Sequence, residues 1–234
     1  MGDFNPRSLN TIMIPRLTQS PPFSFQASLV KKTKANFEMV IARYDEDIGW
    51  SDNYKEFRTV YNKGGPVDYE AIPLENVGHL ADTMLRHIIA RYDTLADVTF
   101  FTHGSFNYRK DQIIKEKGPC DRLWSDFIQT DLDTLVYIPR SDLPAASERA
   151  YDYSETFGEV YQRFFSRPYA RDFEWACGKI MSVSRGHIHS RSKAFYQVML
   201  DWILSPYEGG APSQHVYRTR GIYIERFILH AFNG

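Results

Sequence analysis

The side chains best placed to do chemistry lie between residues 37 and 104. There, three short apolar runs each end in a polar cluster. The clusters are Arg43-Tyr44-Asp45-Glu46-Asp47, Asn62-Lys63-Gly64-Gly65 and Thr102-His103-Gly104-Ser105. In an α/β sheet such clusters gather at the carboxyl ends of neighbouring strands, where these sheets bind ligands. Arg43 there could meet a phosphate or a base, and a carboxylate could meet a ribose. Lys63 could reach a phosphate that approaches the bare backbone of Gly64 and Gly65. Charge and spacing alone favour plainer readings, a solvated turn with local ion pairs and a strand-end hairpin. Neither a G-x-x-x-x-G-K-[ST] loop nor a G-x-G-x-x-G fingerprint is present.

Two further constellations could hold a divalent cation. His79, Asp82 and His103 would converge if a helix start and the third strand's end lay side by side. Asp131-Leu132-Asp133 has the D-x-D spacing that presents oxygen ligands to Mg²⁺ or Mn²⁺ against a nucleotide diphosphate. The tripeptide is common by chance, and a turn after an expected helix is its plainer reading. Gly186-His187-Ile188-His189 reads as a polar turn. No G-x-S-x-G elbow or H-E-x-x-H helix occurs, and Cys177 beside Gly178 has no nucleophile context.

The elements that must position these residues follow from periodicity. Strands are expected over Phe37–Tyr44, Phe57–Tyr61, Asp97–Phe101, Leu135–Ile138 and Trp175–Ser184. The clearest helix lies within Pro73–Tyr92, where Leu80, Met84, Leu85, Ile88 and Ile89 form one apolar face. Asn76 is its expected cap, Gly78 permits close approach to its first turn, and its free N–H groups suit an anion. Further helices are expected at 113–117, 123–128, Tyr151–Phe165, Arg191–Leu204 and Tyr223–Phe232, with a loop over Gly209–Ser213. The whole predicts a single α/β domain over residues 37–234, a central mixed sheet flanked by helices, behind an extended arm of residues 1–36.

Composition narrows the function classes. A net charge of -1 lacks the basic footprint of a nucleic-acid binder. The two cysteines fit a reducing compartment. No run approaches the roughly 20 apolar residues of a membrane span, and the N-terminus lacks a signal-peptide pattern. A soluble, cytoplasmic protein is expected. Aromatic residues at 15% could line a sugar cleft, but an aromatic-rich core is the plainer expectation.

Taken in order, several blocks resemble a family of fungal and viral proteins described as a domain of unknown function. Its sequences look like ARYNED-x-x-W, YNKG, NVGREA-x-TYL, F-x-QG, F-x-VSR-x-x-I-x-x-R-x-x-x-FY and a final ERLW helix. This chain has Ala42-Arg-Tyr-Asp-Glu-Asp-Ile-Gly-Trp50, Tyr61-Asn-Lys-Gly64 and Asn76-Val-Gly-His-Leu-Ala-Asp-Thr-Met-Leu85. It continues with Phe101-Thr-His-Gly104, Met181-Ser-Val-Ser-Arg185 through Phe195-Tyr196, and Glu225-Arg-Phe-Ile228. Members look like GT-A-type glycosyltransferases.

The resemblance implies sugar transfer from a nucleotide-sugar donor to a hydroxyl of a carbohydrate or protein acceptor. It implies a nucleotide site at Arg43, Asp45, Tyr61, Asn62 and Lys63. A diphosphate would lie at Asn76, Val77, Gly78 and His79, and Glu225 would sit near the acceptor, to orient the incoming hydroxyl or act as its base, with His103 the second catalytic residue. The chain departs from the family pattern at His79-Leu80, where Arg-Glu is usual, and at His103, where Gln is usual. The D-x-D usual in this fold is missing after the third strand. His103, or Asp131 and Asp133, would then hold Mn²⁺ or Mg²⁺, or the chain is metal-independent. A catalytically inactive GT-A-like module that binds carbohydrate or protein is the alternative, with a His/Asp metal-dependent hydrolase a third. For Glu225, which shares a helix face with Ile222 and Leu229, a salt bridge to Arg185 or Arg191 competes with the catalytic role.

Overall fold

The computed structural model describes residues 36–106 and 133–234. The expected arm (up to residue 35), the helices at 113–117 and 123–128, and Asp131 lie outside the described residues. Six strands form one mixed sheet: β1 Phe37–Arg43, β2 Arg58–Asn62, β3 Ile72–Pro73, β4 Val98–His103, β5 Leu135–Arg140 and β6 Trp175–Ser184. Their spatial order is β3-β2-β1-β4-β6-β5. β3, β2, β1 and β4 run parallel, and β6 is antiparallel to both β4 and β5. The helices are α1 His79–Arg91, α2 Phe157–Phe165, α3 Arg185–Ile188, α4 Lys193–Leu204 and α5 Gln214–Phe232. The 3-10 segments are Gly49–Phe57, broken at Tyr54, and Tyr92–Thr94. None of the described helices is long and apolar enough to cross a membrane.

Burial on both faces explains the continuous apolar strands. Alternate residues of β1 and β4 enter opposite layers: Val40 and Phe101 face the helices, while Phe37, Met39, Ile41 and Phe100 face the 3-10 segment and Phe106. Each such side chain, fully buried, contributes about 1.5–3 kcal/mol. The aromatic surplus goes largely to core, as around Tyr161, which meets Phe165, Tyr169, Phe173, Phe227 and His230. β5 runs on through Pro139 because it is an edge strand, where a missing donor N–H is tolerated.

The helix starts differ from expectation for local reasons. α1 is capped by Gly78 at φ 56, not by Asn76, which is exposed and gives its carbonyl to Gln214 Nε2 at 2.9 Å. α2 begins six residues after Tyr151, at a capping box formed by Thr156 and Glu159. α5 begins at Gln214, capped by Ser213, and continues through Gly221. A Cβ at Gly221 would come within 3.2 Å of the Gly78 carbonyl oxygen, so α5 and the start of α1 approach closely there. The Gly186–His189 turn is instead the short α3, capped by Ser184.

Gly64 makes the tightest approach. A Cβ there would sit 1.7 Å from the Tyr44 carbonyl oxygen, whereas at Gly65 the nearest atom is Asp45 Oδ1 at 4.0 Å. Gly64→Ala is therefore expected to destabilise the fold by about 2 kcal/mol or more, roughly 4–8 °C in Tm. Gly65→Ala should stay within about 1 kcal/mol of the parent. Thermal melts of the two variants check this, and equal melting temperatures would contradict it.

Candidate functional site

β1 lies between β2 and β4, both parallel to it. The chain leaves β1 on one side towards β2 and returns on the other as β4. That reversal opens a crevice outside the carboxyl ends of β1 and β4. Past the strand ends, Lys63 N–H donates to the Arg43 carbonyl at 2.8 Å and Gly104 N–H to the Ala42 carbonyl at 2.9 Å. Gly104 has no room for a side chain, since a Cβ would lie 2.9 Å from Glu46 Oε2. Trp50 Nε1 donates to the Gly104 carbonyl at 2.6 Å, and Tyr44 N–H to Glu46 Oε2 at 2.6 Å.

Arg43 ties the strand ends together. Its Nη1 donates to the Tyr44 carbonyl and to Asn62 Oδ1, each at 2.8 Å, and Nε donates to the Glu46 carbonyl at 3.2 Å. Asn62 Nδ2 in turn donates to the Gly65 carbonyl at 2.8 Å. Beyond them opens a cleft of about 720 Å³, lined among others by Arg43, Asp45, Asp47, Lys55, Arg58 and Tyr69. Arg58 pairs with Asp52 at 3.1 Å and lies over the Tyr69 ring, 5.5 Å from its centroid. The cleft thus has cations, carboxylates and one aromatic face, and its size suits a small-molecule ligand.

Other residues of the expected nucleotide and diphosphate sets turn inward. Lys63 is buried, and its Nζ donates to Asp82 Oδ2 at 2.8 Å and to the Val77 and His79 carbonyls at 2.6 and 2.8 Å. Burial pushes the Lys63 ammonium down from its ordinary range, and Asp82 opposes that shift. Asp82 also accepts from Arg86 Nε at 2.7 Å. Lys63 therefore pins the Val77–His79 turn, in which Gly78 and His79 are both left-handed, at φ 56 and 52. Tyr61 is buried beneath α1, with its hydroxyl 3.2 Å from His87 Nδ1. Val77 and Gly78 are buried, and Asn76 and His79 are exposed.

Glu225 has a different setting. In the β4–β6 register Phe101 faces Met181, so the end of β4 faces Gly178 and Lys179. Between two successive β5–β6 pairs, β5 contributes only Ile138 while β6 contributes Cys177 to Ile180. This bulge takes Gly178 and Lys179 left-handed, at φ 69 and 59. For Lys179 that conformation costs about 1–2 kcal/mol. Glu225, on α5, holds the bulge: Oε1 accepts from Gly178 N–H at 2.5 Å and Oε2 from Lys179 Nζ at 2.9 Å. His103 Nε2 lies 3.1 Å from the Gly178 carbonyl oxygen. Glu225, Lys179 and His103 are thus brought together at the carboxyl end of β4.

The expected salt bridge to Arg185 or Arg191 is corrected to one with Lys179. Arg185 instead pairs with Asp97 at 2.5 Å, at the opposite edge of the sheet, and Arg191 lies over Phe195. Sequence reasoning missed Lys179. Its signal was Gly178 inside an otherwise regular strand, the mark of a bulge.

Of the expected cation ligands, His103 and Asp133 are not brought together. β5 runs parallel to β4, so Asp133, just before β5, lies at the amino edge, a strand's length from His103. Among the described residues, no three His, Cys, Asp or Glu side chains are grouped as a metal ion would need.

A family profile described as a protein of unknown function (DUF3431) matches residues 39–218, and the chain belongs to that family. Comparison with curated proteins and with solved structures gave no match.

Removing the buried cation should be costly. Lys63→Met takes a donor from two carbonyls and leaves Asp82 with Arg86, and is expected to lose about 3 kcal/mol. Adding Asp82→Leu should recover part of that loss in urea denaturation. Losses that simply add would show that the two side chains are not coupled.

Proposed function

We propose that the protein is a glycosyltransferase that moves a sugar from a nucleotide-sugar donor to an acceptor hydroxyl. One observation carries the reading. A mixed-charge cleft opens between the stretch that follows β1, the segment before β2 and residues 66–69, and the β6 bulge brings a carboxylate, Glu225, to the carboxyl end of β4. The nucleotide would occupy the cleft, its base against Tyr69 and its ribose hydroxyls towards Asp45. Lys55 and Arg58 would meet the phosphates, with Arg43 and Asn62 holding the loops in place. The donor sugar would extend from the cleft towards the end of β4.

Chemically, the acceptor oxygen forms a bond to the anomeric carbon as that carbon's bond to the diphosphate oxygen breaks. The electron pair leaves with the diphosphate, and the cleft's cations stabilise the charge. Glu225 takes the acceptor proton, its position fixed by Gly178 N–H and Lys179. Mn²⁺ or Mg²⁺ bound with the nucleotide would stabilise the same leaving group. His103 and Asp133 do not fit one such ion, and no step here depends on it. The family resemblance supports the same reading. A second reading, an inactive module that binds carbohydrate or protein, is favoured by the inward turn of Tyr61 and Lys63 and by the engagement of both Glu225 oxygens.

Thermal shift with a panel of nucleotide sugars, with and without Mn²⁺, separates the readings. At least one donor at about 100 times its Kd should stabilise the protein by roughly 2.7 kcal/mol, and Tyr69→Ala should reduce the shift. No shift with any donor would remove the transferase reading. Glu225→Gln should keep the donor shift while slowing transfer by about 100-fold or more. Transfer at the parent rate in that variant would show that Glu225 is not the base.

A further inference from the structure

β2 is only half covered by its outer neighbour. Lys63 N–H donates to the Arg43 carbonyl of β1, whereas the Asn62 carbonyl accepts from Leu74 N–H on the opposite side. By the two-residue alternation of a strand, the backbone groups of Val60 and Arg58 also face that outer side. β3 pairs with Tyr61 and Asn62 and reaches no further down the strand. The Val60 N–H and the Arg58 carbonyl therefore fall outside the ladder. Beside them opens a cavity of about 350 Å³, lined among others by Arg58, Val60, Glu70, Ala71, Ile72 and Arg91. Ile72 keeps 43% of its surface open there.

Three cations, Lys55, Arg58 and Arg91, line this cavity against one carboxylate, Glu70. Two of them are engaged. Lys55 and Arg58 share Asp52 Oδ1, at 3.5 and 3.1 Å, and Arg58 also donates to Ser51 Oγ at 2.7 Å. Arg91 is placed by its helix. α1 starts beside Lys63 at the carboxyl end of β2 and passes His87 over Glu38, near the start of β1. Its last residue, Arg91, thus emerges exposed at the amino edge of the sheet. The charge of Arg91 reaches Glu38, but Glu38 is held by Thr59 Oγ1 at 2.5 Å and His87 Nε2 at 3.3 Å. Among the described residues Arg91 forms no ion pair, so its guanidinium is open to a ligand from the cavity.

We infer that this cavity binds an aliphatic monocarboxylate, with its carboxylate on Arg91 and its alkyl body along Ala71, Ile72 and the uncovered edge of β2. A planar, singly charged carboxylate matches a guanidinium fork. The Val60 amide gives the same wall a backbone donor. Glu70 would repel a phosphate dianion more than a monoanion. Alkyl groups laid on Ile72 and Ala71 remove apolar surface from water on both sides. The site does not rest on the transferase reading, although Lys55, Arg58 and Tyr69 also line the first cleft.

Calorimetric titrations of the full chain with hexanoate, hexanamide, acetate and inorganic phosphate test this. Hexanoate is expected to bind at least about tenfold more tightly than each of the other three. Arg91→Gln, at an exposed position in the last turn of α1, should weaken hexanoate by about tenfold or more. Ile72→Ser should weaken it as well, and serves alone if Arg91→Gln does not fold. In ¹⁵N-labelled protein, hexanoate should shift the amides of Thr59, Val60, Ala71, Ile72 and Arg91 most. Any of the other three probes binding as tightly as hexanoate, no saturable hexanoate binding, parent affinity in a variant that folds, or largest shifts at Asp45–Gly49 would overturn the proposal. Nucleotide sugars titrated in parallel keep the two readings apart. Hexanoate binding that depends on Arg91 or Ile72 stands even where no nucleotide sugar binds. Nucleotide-sugar binding without hexanoate binding removes this site and leaves the transferase reading in place.

Discussion

The buried pair of Lys63 and Asp82 is the interaction on which the arrangement of the other elements depends. An ammonium taken out of water costs several kcal/mol, and here a carboxylate and two backbone carbonyls offset it. In doing so Lys63 joins the end of β2 to the Val77–His79 turn and to α1. That turn has no spare volume, because a Cβ at Gly78 would meet Asp82 at 2.7 Å and Ile203 of α4 at 3.0 Å. The Gly78 carbonyl in turn lies against Gly221 of α5. One ion pair thus sets the start of α1, and the close approach at Gly78 sets how α4 and α5 lie against it. α5 then carries Glu225 to the bulge and Arg226 to Trp175.

The bulge in β6 is the second constraint. A regular strand would keep Gly178 N–H within the sheet ladder. The extra residues instead turn Gly178 N–H and Lys179 Nζ towards α5, and place the Gly178 carbonyl against His103. Bulges of this kind re-aim side chains beside active sites. The strain of a left-handed Lys179 is offset by its ion pair with Glu225, so strand distortion and helix carboxylate stabilise each other. An edge of four parallel strand ends with one distorted antiparallel neighbour is what makes the crevice asymmetric, with mixed charge on one side and the Glu225–Lys179 pair on the other.

Much of the fold was legible because it is written in local pattern. The apolar runs of β1 and β4 and the spacing of Leu80, Met84, Leu85 and Ile88 report burial directly, and β6 matches its expected bounds. What was not legible depends on contacts far apart in sequence. Asn76 has the chemistry of a cap, but a left-handed backbone at Gly78 starts the helix. Lys63 has the chemistry of a phosphate ligand, yet Asp82 lies nineteen residues on and claims it. The carboxyl-edge placement of Arg43 and Asp45 was readable from strand-end position alone. The partner of Glu225 was not, since it depends on the phase of a long helix against a strand whose bulge only Gly178 announced.

The claim that the carboxyl-edge crevice is the ligand site is tested most directly by mapping nucleotide-sugar binding on the backbone amides. In ¹⁵N-labelled protein, titrated with the donor that stabilises it most, the largest shift changes should fall on Arg43–Gly49, Gly65–Tyr69, Gly104 and Gly178. Changes confined to the amino edge, around Asp97, Asp133 and Arg185, or to the exposed face of α4, would contradict the account.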